Sequence, residues 1–386
     1  MSKLRVLVLS ANYGAGHVKA AEAIIEALYA KETDAQIAHV DFSEFLGKPL
    51  DSLIKNTYLE MIKHTPKLWG EFYYRTSRIE ADSLLQRFLN GLGKREFVKF
   101  ILSYRPDVII CTYPVIAGVL AQLKLKQIIN VPLATVVTDY AVHNQWIHQG
   151  VDLYLVGCQE VLKGLVSRGV NPSRIKVTGI PVHPKFSTKL DKQALLNKFG
   201  LVSGLPTFLV MGGAYGVLGE VKRICEVLAS APTPVQTLVV CGKDQKLFKS
   251  LNELVATASN PMKPFGFVNN VEEFMTVADL VITKAGGLTV SEALTKGLPL
   301  IIHKPIPGQE LENTNFVKKI GAGIETNTLE QMENTLHDIL NNPKQLQEIS
   351  MAARRATPSC SAERTVDYIL SLVHNNQSIE WGGRYA

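Results

Sequence analysis

The residues best suited to chemistry sit in short glycine-bearing stretches, each at the end of an apolar run. In Asp279-Leu-Val-Ile-Thr-Lys-Ala-Gly-Gly-Leu-Thr-Val-Ser-Glu-Ala-Leu294, Gly286 and Gly287 separate a strand-like run from a helical one. Glycines there let the backbone approach a diphosphate, whose charge then faces the helix N-terminus, with Lys284 beside it and Thr289 able to donate a hydroxyl hydrogen bond. Glu292, one turn in, would accept from ribose hydroxyls. The same residues also fit a plain tight turn with Glu292 as a dipole partner. Twenty residues further, Lys304-Pro-Ile-Pro-Gly-Gln-Glu-Leu-Glu-Asn313 places Gln309 and Glu310 in a proline-stiffened loop suited to reading hexose hydroxyls.

Near the N-terminus, Ser10-Ala-Asn-Tyr-Gly-Ala-Gly-His17 carries Gly14 and Gly16 after a strand, with Asp41 at the end of the next one. That pattern is close to a dinucleotide fingerprint and would suit NAD, but Lys19 stands where the third glycine belongs. The other reading makes His17 a general base that faces a ligand and takes the proton of an attacking hydroxyl. Thr138-Asp-Tyr-Ala-Val-His-Asn-Gln-Trp146 adds Asp139, expected to orient His17 or to cap a helix. It also adds the His143 imidazole and the Trp146 indole, the latter a candidate to pack on an acyl or glycerol group or a core residue.

These stretches need elements to hold them. Apolar runs at 5–10, 36–42, 107–111, 133–137 and 153–156 read as strands, and the repeat of Ala20, Ala23, Ile24, Ala27 and Leu28 reads as a helix behind the first turn. The pattern restarts at 207–210, 236–240, 280–283 and 299–302. Strands alternating with helices imply parallel sheets covered on both faces, and ligands then bind outside the carboxyl ends of the strands. The chain of 386 residues therefore divides into residues 1–183 and 184–360, with the two prolines of Pro181–Pro184 at the join and a C-terminal helix at 361–378 packing back on the first half. The class is α/β, with two Rossmann-like domains facing across a cleft.

Composition narrows the classes. Hydrophobic residues make up 46% and charged residues 20%, which excludes disordered and fibrous chains. Five scattered cysteines without a Cys-x-x-Cys pair argue against a disulfide framework or zinc site and point to a reducing compartment. The start of the chain reads as a strand rather than a signal peptide, and no apolar run reaches the ~20 residues of a spanning helix, so membrane contact is expected to be peripheral. The net charge of +6 lies wholly in residues 1–185. Residues 48–99 alone hold 10 basic against 6 acidic side chains and interleave them with Tyr58, Trp69, Phe72, Tyr73, Tyr74 and Phe88. Basic residues with aromatics suit an anionic lipid surface, although helices with solvated charged faces look similar.

Taken together, the Gly14–His17 turn, Thr138–Trp146, Thr178–Val182, Met211–Gly219, Gly266–Val268, Lys284–Glu292 and Pro307–Asn313 resemble the monogalactosyldiacylglycerol synthases and processive diacylglycerol glucosyltransferases of glycosyltransferase family 28. The resemblance implies the GT-B fold and an inverting transfer, without metal or cofactor, of glucose or galactose from a UDP-hexose to diacylglycerol. It makes His17 the base and Asp139 a cleft carboxylate. Gly212, Gly213, Gly286, Gly287 and Thr289 fall on the diphosphate site, Phe267 and Val268 on the uracil segment, Glu292 on the ribose contact, and Gln309, Glu310 and Asn313 on the sugar contacts. Gly14, Gly16, His143 and Trp146 fall on the acceptor side. The expected place is the inner face of the cell membrane, with no nucleic-acid partner. A lipid-linked peptidoglycan precursor as acceptor and an NAD-dependent oxidoreductase are the alternatives.

Overall fold

The computed structural model describes residues 3–45, 48–77, 94–212 and 220–376. The chain divides between Pro184 and Lys185 into two compact units. The first takes up the chain again from Cys360, and the second ends at Ser359.

In the first unit, β1 (Arg5–Ser10), β2 (Gln36–Asp41), β3 (Val108–Cys111), β4 (Leu133–Val136), β5 (Leu153–Val156) and β6 (Ile175–Val177) form one parallel sheet in the order β2-β1-β3-β4-β5-β6. Its helices are α1 (Ala15–Lys31), α2 (Lys48–His64), α3 (Pro66–Thr76), α4 (Lys94–Tyr104), α5 (Pro114–Leu125) and α6 (Gln159–Val166). Central strands β3, β4 and β5 are buried at every position, as a sheet covered on both faces requires, while edge strand β2 has no fully buried residue.

The second unit contains β7 (Thr207–Met211), β8 (Gln236–Val240), β9 (Met262–Phe265), β10 (Leu280–Thr283), β11 (Leu300–His303) and β12 (Gly323–Thr326), again parallel, in the order β12-β11-β10-β7-β8-β9. Its helices are α7 (Lys192–Phe199), α8 (Val221–Ser230), α9 (Gln245–Val255), α10 (Val271–Val277), α11 (Gly287–Lys296), α12 (Gln309–Lys319), α13 (Leu329–Asn341) and α14 (Pro343–Ala356).

The last described helix, α15 (Ser361–His374), belongs to the first unit. Its apolar spacing Ala362, Val366, Ile369 meets the stripe Ile24, Ala27, Leu28 of α1, and all six are fully buried. Lys31 at the end of α1 is ion-paired with Asp367 on α15, and the Ser361 hydroxyl accepts from the Val182 N–H at 3.2 Å.

The strands read from the sequence are present within a residue or two at their ends. Three others, β6, β9 and β12, carried no readable signal. They are three or four residues long and all three lie at sheet edges; short partly exposed strands lack the apolar run that marks a buried one.

Candidate active site

In the first unit, β1 runs into Gly14, which caps α1 with φ 156° and ψ 136°, a conformation costly for any residue with a Cβ. This turn puts Gly16 in the first turn of α1 and His17 just behind it. The imidazole Nδ1 is 2.8 Å from the Thr112 carbonyl oxygen, beyond the end of β3, and 2.9 Å from the Thr138 hydroxyl, beyond the end of β4. A carbonyl only accepts, so Nδ1 carries the proton and Nε2 keeps the basic lone pair. The Thr112 hydroxyl returns to the His17 carbonyl at 3.0 Å, locking helix to strand end. The Tyr113 ring lies edge-on 5.1 Å from the imidazole, and the Trp146 ring lies 6.5 Å away. Burial among these groups lowers the His17 pKa to about 4, against the opposing pull of the Thr112 carbonyl, so the ring is neutral at physiological pH.

The sequence reading gives the orienting role to Asp139. The structure gives it to Thr112 and Thr138; Asp139 is the next residue along and is partly buried. Thr112 and Tyr113, just past the apolar run at 107–111, are residues that the sequence reading misses. Their signal is that position, since residues just past the carboxyl ends of parallel strands line the ligand edge. Trp146, 2% exposed, is a core ring beside His17. His143 is also buried, with both ring nitrogens engaged: Nδ1 accepts from the Gln145 N–H at 3.2 Å, and Nε2 lies 3.2 Å from the Tyr73 carbonyl oxygen. Its pKa is likewise lowered to about 4, by burial first.

In the second unit, β10 leads through Lys284 and Ala285 to Gly286, the cap of α11. Gly286 has φ −66°, open to any residue, and a Cβ added there would meet nothing nearer than the Thr289 hydroxyl oxygen at 3.9 Å. Neither backbone strain nor packing demands glycine, which removes the tight-turn explanation. What a bare Cα does provide is clear approach to the N–H groups at the helix N-terminus. Gly287 is buried, Thr289 and Glu292 are partly buried within the first two turns of α11.

The loop after β11 is tied to this turn. Lys284 Nζ lies 2.8 Å from Glu310 Oε1, and the fully buried Asn313 donates through Nδ2 to the Ala285 carbonyl at 3.0 Å. Asn313 therefore shapes the turn, and Glu310, 6% exposed, holds the Lys284 ammonium, while Gln309 opens α12 partly exposed. Gly212 is buried just past β7, and Gly213 lies outside the described residues. Beyond β9, Phe267 is 61% exposed and Val268 is partly buried. A second cluster had no readable signal. Glu220 accepts from Lys304 Nζ at 2.7 Å and lies 3.2 Å from Nε2 of His303, and these hydrogen bonds hold its carboxyl below the usual range. It joins residues 84 apart, which spacing cannot reveal. Among the described residues, no group of His, Cys, Asp and Glu is placed to hold a metal ion.

Residues 17–182 match the monogalactosyldiacylglycerol (MGDG) synthase family, and residues 207–364 match the glycosyltransferase family 28 C-terminal domain. The processive diacylglycerol beta-glucosyltransferase of Bacillus pumilus (strain SAFR-032) is 32% identical over 97% of both chains. That of Bacillus subtilis (strain 168) is 34% identical over 89% of this chain and 91% of its own. Among solved structures, Acinetobacter baumannii MurG superposes with a TM-score of 0.63 at 16% identity, covering 96% of this chain and all of that one. The S. aureus MnaA–UDP structure gives 0.62 at 14% identity, covering 98% and 99%. At those identities the likeness speaks to fold, and the fold is GT-B.

Proposed function

We propose, for this member of the family of MGDG synthases and processive diacylglycerol glucosyltransferases within glycosyltransferase family 28, transfer of glucose from UDP-glucose to the free hydroxyl of diacylglycerol. The observation that carries the chemistry is the His17 ring, its proton fixed on Nδ1 and its Nε2 left basic.

In this scheme Nε2 takes the proton of the diacylglycerol hydroxyl as the oxygen attacks the anomeric carbon. The new C–O bond forms on one face while the bond to UDP breaks on the other, and its electron pair leaves on the β-phosphate oxygen. One displacement inverts the anomeric centre and needs no carboxylate nucleophile. The growing phosphate charge is met by the α11 N-terminus at Gly286 and Gly287, by Thr289, and by Lys284, so charge stabilisation is supplied by protein groups without metal. Phe267 would meet the uracil, Glu292 the ribose and Gln309 the sugar hydroxyls. The bare approach at Gly286 supports a diphosphate there. The relatives at 32–34% identity are beta-glucosyltransferases, which supports glucose over galactose, and membership in this family leaves an NAD-dependent oxidoreductase without support.

The acceptor is a membrane lipid, and no helix among the described residues is long and apolar enough to cross a membrane. We assign contact with the bilayer to α2 and α3. Leu53 (63% exposed), Leu68 (56%) and Phe72 (49%) stand out into solvent, and α3 also carries the exposed Tyr74, Lys67 and Arg75, the last ion-paired with Glu71 at 3.5 Å. Exposed apolar side chains on helices that also carry basic residues suit an anionic interface at the inner face of the cell membrane.

The test is transfer of label from UDP-[14C]glucose and, in parallel, UDP-[14C]galactose to diacylglycerol in vesicles, with lipids separated by thin-layer chromatography. Glucolipid formed without added divalent cation and undiminished by EDTA supports the reading. Label entering lipid from UDP-galactose alone overturns the donor, and none from either donor overturns the acceptor.

A further inference from the structure

A buried side chain, His143, links the helix that carries Leu68 and Phe72 to the loop that holds the His17 ring. His143 lies midway along the loop from the end of β4 to Trp146, and its ring faces α3. Nε2 is 3.2 Å from both the Tyr73 carbonyl and the Thr76 hydroxyl oxygen, and the imidazole packs 4.9 Å from the Tyr73 ring. The Tyr73 carbonyl fixes the proton on Nε2, which leaves Nδ1 to accept from the Gln145 N–H and cap the short 3-10 turn Asn144–Trp146. The same loop holds His17 at its two ends. Thr138 bonds Nδ1 at one end, and Trp146 lies beside the ring at the other.

Four residues along this route are closed to solvent. Thr76 is 6% exposed, His143 7%, Thr138 4% and Trp146 2%. Close-packed side chains have no slack to absorb a shift, so a displacement of α3 reaches Thr138 and Trp146 through His143. Yet one and two turns before Thr76, α3 presents Phe72 and Leu68 to solvent. Its C-terminal turn is thus fixed to the active-site loop while its apolar side chains are left for a lipid surface.

We infer that His143 is a positioning residue that couples the seating of α3 on a lipid surface to the placement of the His17 ring. The inference rests on the lipid-surface reading above and adds to it a route by which the bilayer acts on the base. A bilayer that seats α3 draws on the loop through the Tyr73 and Thr76 contacts, and the loop sets the ring that must meet the acceptor hydroxyl within a fraction of an ångström.

The two jobs of His143 can be separated by substitution. In His143→Asn the shorter side chain still caps Asn144–Trp146, since Asn is a favoured cap, but it cannot reach α3. Thr76→Val removes one α3 contact and leaves His143 in place. Each full-length variant is compared with wild type on diacylglycerol in anionic vesicles and on a short-chain diacylglycerol below its aggregation concentration, with vesicle flotation and thermal unfolding measured alongside. The expected result is that His143→Asn lowers kcat on vesicles at least tenfold more than on the short-chain acceptor, while flotation stays within twofold of wild type. Thr76→Val should show the same bias, more weakly. Equal losses on the two acceptors, or no loss on vesicles, overturn the coupling and leave the acceptor reading standing. A wild-type enzyme that glucosylates neither acceptor brings down the acceptor reading and the coupling with it.

Discussion

His17 combines a fixed tautomer with a lowered basicity, and the two have separate consequences. The tautomer comes from the Thr112 carbonyl and leaves Nε2 as the proton acceptor. His17→Ala should therefore lower turnover by roughly 10²–10⁴-fold, the usual worth of a general base, and leave UDP affinity unchanged by calorimetry. Retained turnover would remove His17 from the reaction. The lowered pKa sets the pH profile. With a folded value of about 4 in place of 6.5, the base is lost only as pH falls through about 4, so the acid limb of kcat/KM should break near 4. A break near 6.5 would mean that the ring is solvated in the working enzyme. The sequence displayed His17, the glycines before it and the Thr138-Asp139 pair. It offered Asp139 as the group that orients His17 or caps a helix, whereas the contacts to Nδ1 come from the neighbouring Thr138 hydroxyl and a strand-end carbonyl. That is a matter of ångströms across three chain segments.

At the scale of elements, α15 and α3 carry the sharpest expectations. The α15 stripe is buried against α1, and Ile369→Ala removes a fully buried side chain from that contact. It should cost about 2–5 kcal/mol in urea unfolding, as buried Ile truncations do; a cost under about 1 kcal/mol would mean that the helix adds little to the core. Phe72→Asp on α3 places a charge where the proposed bilayer contact needs an apolar ring and should abolish flotation with anionic vesicles, with thermal unfolding little changed since the side chain is 49% exposed. Undiminished flotation would move the contact elsewhere. Long buried strands and the α1 stripe were legible because burial on both faces imposes a continuous apolar run, and burial on one face a period of 3.6. Edge strands β6 and β9 were not, because an edge of three or four residues tolerates almost any side chain.

Across the whole molecule, protonation links folding to pH. His17 and His143 are both neutral in the fold, each with a pKa of about 4 against 6.5 in the unfolded chain. Below 6.5 the unfolded chain binds more protons, so this contribution is complete above pH 6.5 and is lost as pH falls through about 4. Glu220, Glu273 and Glu325, each lowered by a lysine hydrogen bond first, act in the same sense at lower pH. The urea midpoint should drop between pH 7 and 4.5, and more gently in His143→Asn; a flat profile would mean that neither imidazole is buried in solution. Charge acts at this scale too. The excess of cations lies in residues 1–185, so vesicle binding should weaken as salt is raised from 0.05 to 0.5 M.

The sequence by itself determined the α/β class, the two-unit division near Pro184, the glycine turns at strand ends and the ordered motifs of a family, since each is written in contiguous residues whose local chemistry admits few readings. Only the tertiary structure decided who holds whom. Thr112 and Thr138 converge on His17 from 95 and 121 residues away, Glu310 and Asn313 brace the turn before Gly286, and His143 fastens α3 to the loop beside His17. Hydrogen bonds form where packed strands and helices bring donors and acceptors within about 3 Å, and that distance is a property of the assembled sheet with no counterpart in spacing along the chain.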